Sequence, residues 1–271
     1  MKIKNFYEIG KWQGDRVGFP RVGLVNKERI LIKDTYEFLK QLVNLKRISI
    51  EIQRRYPEYD VSEMKNKLSE LLRIKSNGIL VTTNKHMRGK YVYRVFTQSR
   101  KLFRDFQQIS DNMLLAKPNQ IAQYLAGFAD AEATVDNRNN IISFSISRKK
   151  RVESENIKKM LEIVLMEPVK MRTAGRIELK IEIPRNLVKL FKNKIGKFMK
   201  HPEKIKRFNG NFIPEKDKKI LYFIKNNPNC TAKLIAGNFK IHVDSARRIL
   251  RFFRKQKLVK FLKKKTFKYF L

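Results

Sequence analysis

Two stretches of this chain share one unusual pattern, and it narrows the folds open to it. Residues 118–136 read Pro-Asn-Gln-Ile-Ala-Gln-Tyr-Leu-Ala-Gly-Phe-Ala-Asp-Ala-Glu-Ala-Thr-Val-Asp. Pro118 suits the first turn of a helix, where no N–H is missed. Ile121, Leu125 and Phe128, with Tyr124 on the far side, recur at helical spacing. Ala122, Ala126, Gly127, Ala131 and Ala133 leave one flank nearly bare, and Gly127 and Ala131 share a face. A glycine inside a helix costs ~1 kcal/mol against alanine, so its presence predicts close contact with another backbone. Glu132 sits at the C-terminal end, where the helix dipole disfavours an anion. A metal cation is its natural partner.

The partner helix is in the chain. Near the N-terminus stands Phe6-Tyr7-Glu8-Ile9-Gly10-Lys11-Trp12-Gln13-Gly14-Asp15-Arg16. Gly10 and Gly14 take the places of Gly127 and Ala131, and Asp15 follows Gly14 as Glu132 follows Ala131. The segments align without a gap at an offset of 117 residues, a divergent repeat of domain size.

Leu125-Ala126-Gly127-Phe128-Ala129-Asp130-Ala131-Glu132-Ala133 closely resembles the LAGLIDADG motif of homing endonucleases, and the N-terminal segment resembles a degenerate first copy. In that family two motif helices pack along a pseudo-twofold axis, and the acid ending each motif binds divalent metal and acts on one DNA strand. The resemblance assigns those roles to Asp15 and Glu132, with Gly10, Gly14, Gly127 and Ala131 packing the helices. It implies a monomer, since one chain carries both copies. Two departures stand out: the closing glycine is Arg16 in one copy and Ala133 in the other, and Lys11 and Gln13 occupy usually apolar positions.

Charge agrees with such a partner. Lys+Arg number 62 against 25 Asp+Glu, a net +37, which calls for a polyanion, most simply double-stranded DNA. A lysine-rich surface kept for solubility is the bland alternative. Hydrophobic residues make up 42% of the 271, enough for a proper core in two or three domains. The sequence has no apolar run of membrane-spanning length and no apolar signal core at its N-terminus. Cys230 is the single cysteine, which excludes an internal disulfide and a cysteine-based zinc site. The expected compartment is reducing cytoplasm or nucleoid.

After the first motif, residues 21–26 alternate like a strand, 34–43 read as a helix, 47–53 as a strand, and 60–73 as a helix. Residues 78–82 and 91–96 are strand-like, and Ser99 caps a helix to about Ile109. The second half has a strand at 141–147, a helix from Ser154 to about Leu165, a hairpin across Ala174-Gly175, and a last helix from Pro184 to about Lys200. The expected fold is α+β: two αββαββα units, 1–117 with an insertion at about 56–86 and 118–213, their sheets forming a saddle on the DNA major groove. Residues 214–271 read differently. Three helices, the third basic with Arg247, Arg248, Arg251 and Arg254, precede a hairpin tipped by Lys263-Lys264-Lys265. They look like a winged helix-turn-helix that binds DNA; a structural or dimerisation module is the alternative.

Carried over from the family, Lys117 and Lys204 would stand near the scissile phosphates, Asn26 and Arg148 would contact water or phosphate, and Mg²⁺ or Mn²⁺ would be the cofactor. Mg²⁺ suits carboxylate and phosphate oxygens. Asp130 is not a ligand by alignment and is expected to cap, pair or face solvent. His86, His201 and His242 share no metal-ligand spacing, Trp12 is expected in the core, and Tyr91, Tyr93 and Phe96 in sheet packing. The function implied is a site-specific, metal-dependent double-strand endonuclease. A catalytically inactive LAGLIDADG/helix-turn-helix regulator and an intron RNA-splicing maturase share the layout and stay open.

Overall fold

The computed structural model describes residues 5–15, 18–87, 89–136, 141–209, 213, 215–263 and 267–270. Helix α1 (Phe6–Gly14) opens at Asn5, whose side chain accepts from the Glu8 N–H. Strand β1 (Arg21–Asn26), helix α2 (Arg29–Leu42) and strand β2 (Ile48–Arg54) follow. Helix α3 (Ser62–Leu72) and strand β3 (Leu80–Thr83) fall within 56–86, before strand β4 (Tyr91–Gln98) and helix α4 (Arg100–Asp111). Ser99 caps α4 by accepting from the Leu102 N–H. Helix α5 (Pro118–Glu132) begins the second half, with β5 (Ala133–Asp136), β6 (Ile141–Ser147), α6 (Arg151–Leu165), β7 (Lys170–Ala174), β8 (Glu178–Ile183), α7 (Val188–Lys194) and α8 (Pro202–Phe208) behind it.

The two sheets are built alike at their centres and differ at their edges. One runs β1-β4-β2-β3, the other β5-β6-β8-β7. Strand β1 pairs antiparallel with β4, and β6 with β8, as Gly23 against Phe96 and Phe144 against Ile181 show. The second half thus has the helix–strand–strand order expected. The first half departs from it: a single described strand, β1, lies between α1 and α2. Gly18, at φ +90°, and Pro20 turn the chain there instead of extending it. The sheet still reaches four strands, because β3 adds in parallel to β2 on the opposite edge, with Glu51 beside Leu80 and Arg54 beside Thr83. A parallel pair needs a crossover, and α3 supplies it.

A second correction concerns the helix expected from Pro184 to about Lys200. It is broken into a 3₁₀ turn at Arg185–Leu187, α7, and a second 3₁₀ turn at Gly196–Phe198. Gly196 is a poor interior helix residue, and His201, preceding Pro202, is pushed out of helical geometry. The chain therefore restarts as α8, outside the expected helix.

Each sheet buries its apolar face under its helices. Trp12 meets Phe103 and Phe106 of α4 edge-on at 5.2 and 5.3 Å. In the second half, Phe128 of α5 lies 5.9 Å from Phe144 of β6, which lies 6.4 Å from Phe191 of α7. Tyr93 and Phe96 are buried in the first sheet, as expected.

Residues 206–271, with 135–141, separate as a second compact unit. Helices α9 (Glu215–Asn226), α10 (Ala232–Asn238) and α11 (Val243–Lys255) precede an antiparallel hairpin of β9 (Lys260–Lys263) and β10 (Phe267–Phe270). Ile220, Ile224, Ile235, Ile249, Leu250 and Phe253 form its core. Thr231 caps α10 and His242 caps α11. Among the described residues no helix is long and apolar enough to cross a membrane.

Candidate active site

The site begins with the contact between α1 and α5. A β-carbon on Gly10 would overlap the carbonyl oxygen of Tyr124, and one on Gly127 would overlap the carbonyl oxygen of Tyr7. Both pairs are exchanged by the same 117-residue offset, so the contact is reciprocal, as at an isologous interface. Gly14 and Ala131 are each other's counterparts, and a β-carbon on Gly14 would abut that of Ala131. The backbones approach this closely because the side chains between them are nearly absent.

That contact delivers two carboxylates to one place. Asp15 is the C-cap of α1, its N–H donating to the Lys11 carbonyl at 3.1 Å. Glu132 is the last residue of α5, and Ala133 then turns extended at φ −73°, ψ 139°. Both acids are half-buried. Burial pushes Asp15 up to about 6, against the opposing pull of its hydrogen bond from Asn26 and of the Lys204 and Lys11 charges. Burial and then the Asp15 charge push Glu132 up to about 7, with Lys150 and Lys204 opposing. Two carboxylates held like this favour a proton or a cation between them.

Lys204 supplies one positive charge. It reaches back from α8 so that its Nζ donates to the carbonyls of Ala129, Asp130 and Ala131 at 2.8, 2.7 and 3.5 Å. Those are terminal carbonyls of α5, which a cation suits. Burial lowers the Lys204 amine to about 8, and the Asp130, Asp15 and Glu132 charges oppose that shift.

Asn26, at the end of β1, donates through Nδ2 to Asp15 Oδ2 at 3.1 Å, while its Oδ1 accepts from the Glu28 N–H at 2.9 Å. It is placed to orient Asp15. Arg148 follows β6 at an exposed position, where its Nη1 donates to the Arg176 carbonyl at 3.3 Å. With Arg151 and Arg172 it lines a cavity of about 410 Å³.

Lys117 is not at the site. It is the N-cap of α5, while Glu132 closes the same 15-residue helix. At 1.5 Å per residue the two ends are ~22 Å apart, so the lysine expectation holds no place beside the acids in the first half. Asp130 does not face solvent: it is fully buried and hydrogen-bonded. Lys11, at a usually apolar position, is buried too and answered within the core. Its Nζ reaches Glu8 Oε1 at 2.8 Å and the Leu31 carbonyl at 3.2 Å, while Glu8 Oε2 accepts from Thr35 at 3.0 Å.

The sequence reading missed Lys150, whose charge acts on Glu132, and Glu28 and Glu203, whose charges flank Lys204. Proximity across elements brings these together, and no spacing in the chain announces it. In the second unit, Arg247, Arg248 and Arg251 are exposed along α11, with Arg247 paired to Asp244 at 3.0 Å. Lys264 and Lys265 lie outside the described residues, as does the side chain of Lys263.

The described chain thus has two paired small-residue helices, each followed or closed by an acid, and two four-stranded sheets. Among solved structures, the chain is similar to I-DmoI in complex with DNA and Mn, at 15% identity over 70% of this chain and 94% of that one, TM-score 0.46. Mesophilic variants of the homing endonuclease I-DmoI match at 17% identity, 70% and 93% coverage and TM-score 0.46. The homing endonuclease I-WcaI bound to its DNA recognition sequence matches at 13% identity, 77% and 88% coverage and TM-score 0.48. No protein-family model and no curated protein matches the chain.

Proposed function

We propose that this chain is a site-specific, divalent-metal-dependent endonuclease of double-stranded DNA, acting as a monomer, with Asp15 and Glu132 as the metal ligands that each serve one strand. The observation that carries the reading is the meeting of two half-buried carboxylates at the ends of reciprocally packed helices, both with raised proton affinity. Mg²⁺ is commonly held by one or two carboxylates plus substrate phosphates, so this donor set fits it. When bound, Mg²⁺ or Mn²⁺ would supply a Lewis acid and a polarised water for phosphodiester hydrolysis.

The chain's own groups have the remaining tasks. Asn26 fixes the Asp15 carboxylate. Lys204 places a cation where phosphate charge would build up, the kind of fixed charge that lowers a hydrolytic barrier. Arg148 on the second half, with Arg247, Arg248 and Arg251 and the lysines at 263–265, would hold the DNA backbone. We assign residues 214–271 as a winged helix-turn-helix-like module that lengthens the footprint. The first-motif departure at Lys11 does not weaken the nuclease reading against the regulator, because Glu8 and Thr35 absorb that charge in the core.

The test is to incubate the protein with DNA from its own locus, with Mg²⁺ and with chelator. We expect double-strand breaks with the metal and none without it. Asp15→Asn and Glu132→Gln should each stop double-strand cutting, leave at most nicks, and spare DNA binding. Full cutting by the double mutant would sink the assignment. Tight binding without cutting in either metal would make the chain a DNA-binding regulator, and preferential binding of its host intron RNA a maturase.

A further inference from the structure

Asp130 has no role in the reading above, yet it is a wholly buried carboxylate two residues from Glu132. Its Oδ2 accepts three hydrogen bonds: from the Lys200 N–H at 2.6 Å, the His201 N–H at 3.1 Å and the Tyr7 hydroxyl at 2.6 Å. Oδ1 has no partner among the described residues. A carboxylate left buried and half satisfied works against stability, so packing alone gives no reason for it.

The three donors show what it holds. Lys200 and His201 lie in the short link between the 3₁₀ turn at Gly196–Phe198 and α8. His201 Nδ1 in turn accepts from the Lys204 N–H at 3.4 Å. Lys204 then folds back onto the carbonyls of residues 129–131. Asp130 is thus bonded to this segment twice, by its carboxylate at the entry to α8 and by its own carbonyl at the Lys204 amine. The bond from Lys200 is through the backbone; its side chain pairs elsewhere, with Asp34 at 2.9 Å. The third donor, Tyr7, comes from α1, so the clamp closes only when the two motif helices are paired. In the first repeat the position of Asp130 is Gln13, a neutral side chain whose buried Oε1 has no partner among the described residues.

We propose that Asp130 is a positioning residue: with Tyr7 it docks the 199–201 link, and so seats the Lys204 amine at the end of α5 beside the acid pair. The inference rests on the nuclease reading for its consequence in catalysis, and on the geometry alone for the seating of Lys204.

The experiment therefore has two arms on the full chain. In the first, without DNA, lysines are acetylated with a water-soluble N-hydroxysuccinimide ester and read by mass spectrometry. Lys204 should react slowly in the wild type and at least several-fold faster in Asp130→Ala and Tyr7→Phe, in protein that unfolds cooperatively. Asp130→Asn keeps an acceptor oxygen for the two backbone N–H groups and should restore much of the protection. Unchanged Lys204 labelling in folded Asp130→Ala overturns the proposal. Should that variant not fold, unchanged Lys204 labelling in Tyr7→Phe does the same.

The second arm is single-turnover cleavage of pre-bound DNA. Displacing a reacting group by about 1 Å lowers a rate by about a hundredfold, so Asp130→Ala should fall by about that factor with DNA affinity unchanged. The double mutant Asp130→Ala/Lys204→Met should be no slower than Lys204→Met. Multiplicative losses would mean that Asp130 acts independently of Lys204, against the proposal. A wild-type protein that cuts nothing overturns the nuclease reading, while the labelling arm still decides the seating of Lys204.

Discussion

Asp15 and Glu132 hold carboxylates where water is scarce, and the sign of that effect can be measured. Their folded values, about 6 and about 7, lie above those of an unfolded chain, near ~4. Between those limits the folded protein binds more protons than the unfolded one, so stability from these groups is present at low pH and lost as pH rises through about 6 and 7. We expect metal-free wild type to lose stability over this window relative to Asp15→Asn/Glu132→Gln. Adding Mg²⁺ at pH 8 should raise the unfolding midpoint of the wild type and leave the double mutant unmoved. Identical pH slopes in the two proteins would take the acids out of the account. A second prediction concerns the buried Glu8–Lys11 pair, 2.8 Å apart. The repeat carries Leu125 and Phe128 at these positions. Removing one partner strands the other, so Lys11→Met should destabilise the protein by ~3–5 kcal/mol. Glu8→Leu/Lys11→Met should recover most of it, as read by urea unfolding. The two acids are legible in the sequence because the repeat fixes their positions. The Glu8–Lys11 pair is half legible: its spacing of three is visible, but Lys11 reads as a defect of the motif without Thr35 and the Leu31 carbonyl that α2 brings around it. Asp130 is legible only as a residue in need of a partner, since Tyr7 and the Lys200 and His201 N–H groups converge on it from more than 60 residues away.

At the level of elements, the helix pair is the most readable part of the chain, and the sheet edges are the least. A glycine or alanine four residues after a glycine on a bare flank has few explanations other than a closely packed backbone. Gly127 tests this with a single methyl group. In Gly127→Ala the new β-carbon meets the Tyr7 carbonyl, a backbone atom that cannot swing aside. The helices must separate, at a loss of ~1–3 kcal/mol, and the two acids separate with them. Urea midpoints should fall for Gly10→Ala and Gly127→Ala alike, since the packing is reciprocal, and hardly at all for Gly237→Ala, where a β-carbon meets nothing. Equal small effects at all three glycines would contradict the packing described. The edges are unreadable for a different reason. Residues 78–82 have strand character, but nothing local says that β3 pairs in parallel with β2, or that it does so while the described first half lacks a counterpart of β5. Strand pairing is set by what remains uncovered after the rest of the chain has folded. The same holds for Lys204: the expected helix runs through Gly196, and the break there is what lets α8 turn a lysine back onto α5.

For the molecule as a whole, the net charge of +37 suits a polyanionic partner and leaves the division of labour open. The charge carried by α11 lends itself to a separate test, because Arg247, Arg248 and Arg251 are exposed there while Ala246, Ile249, Leu250 and Phe253 fill the core beneath. Replacing the three arginines by alanine therefore changes surface charge without opening the interior, and alanine also favours the helix. Asp244 is paired with Arg247 at 3.0 Å at an exposed site, where such pairs contribute little. If these arginines neutralise DNA phosphates, each phosphate left without its arginine should lower the slope of log affinity against log salt by ~0.9. The triple variant should then bind its DNA more weakly at low salt, show a slope smaller by up to about 2.7, and protect a shorter footprint. The acids and Lys204 belong to the other unit, so cutting of saturated DNA at low salt should persist at the wild-type rate. An unchanged slope and footprint would make residues 214–271 a structural or protein-contact module. A cutting rate that falls together with affinity on saturated DNA would instead mean that α11 takes part in assembling the site, and that the two units do not act separately.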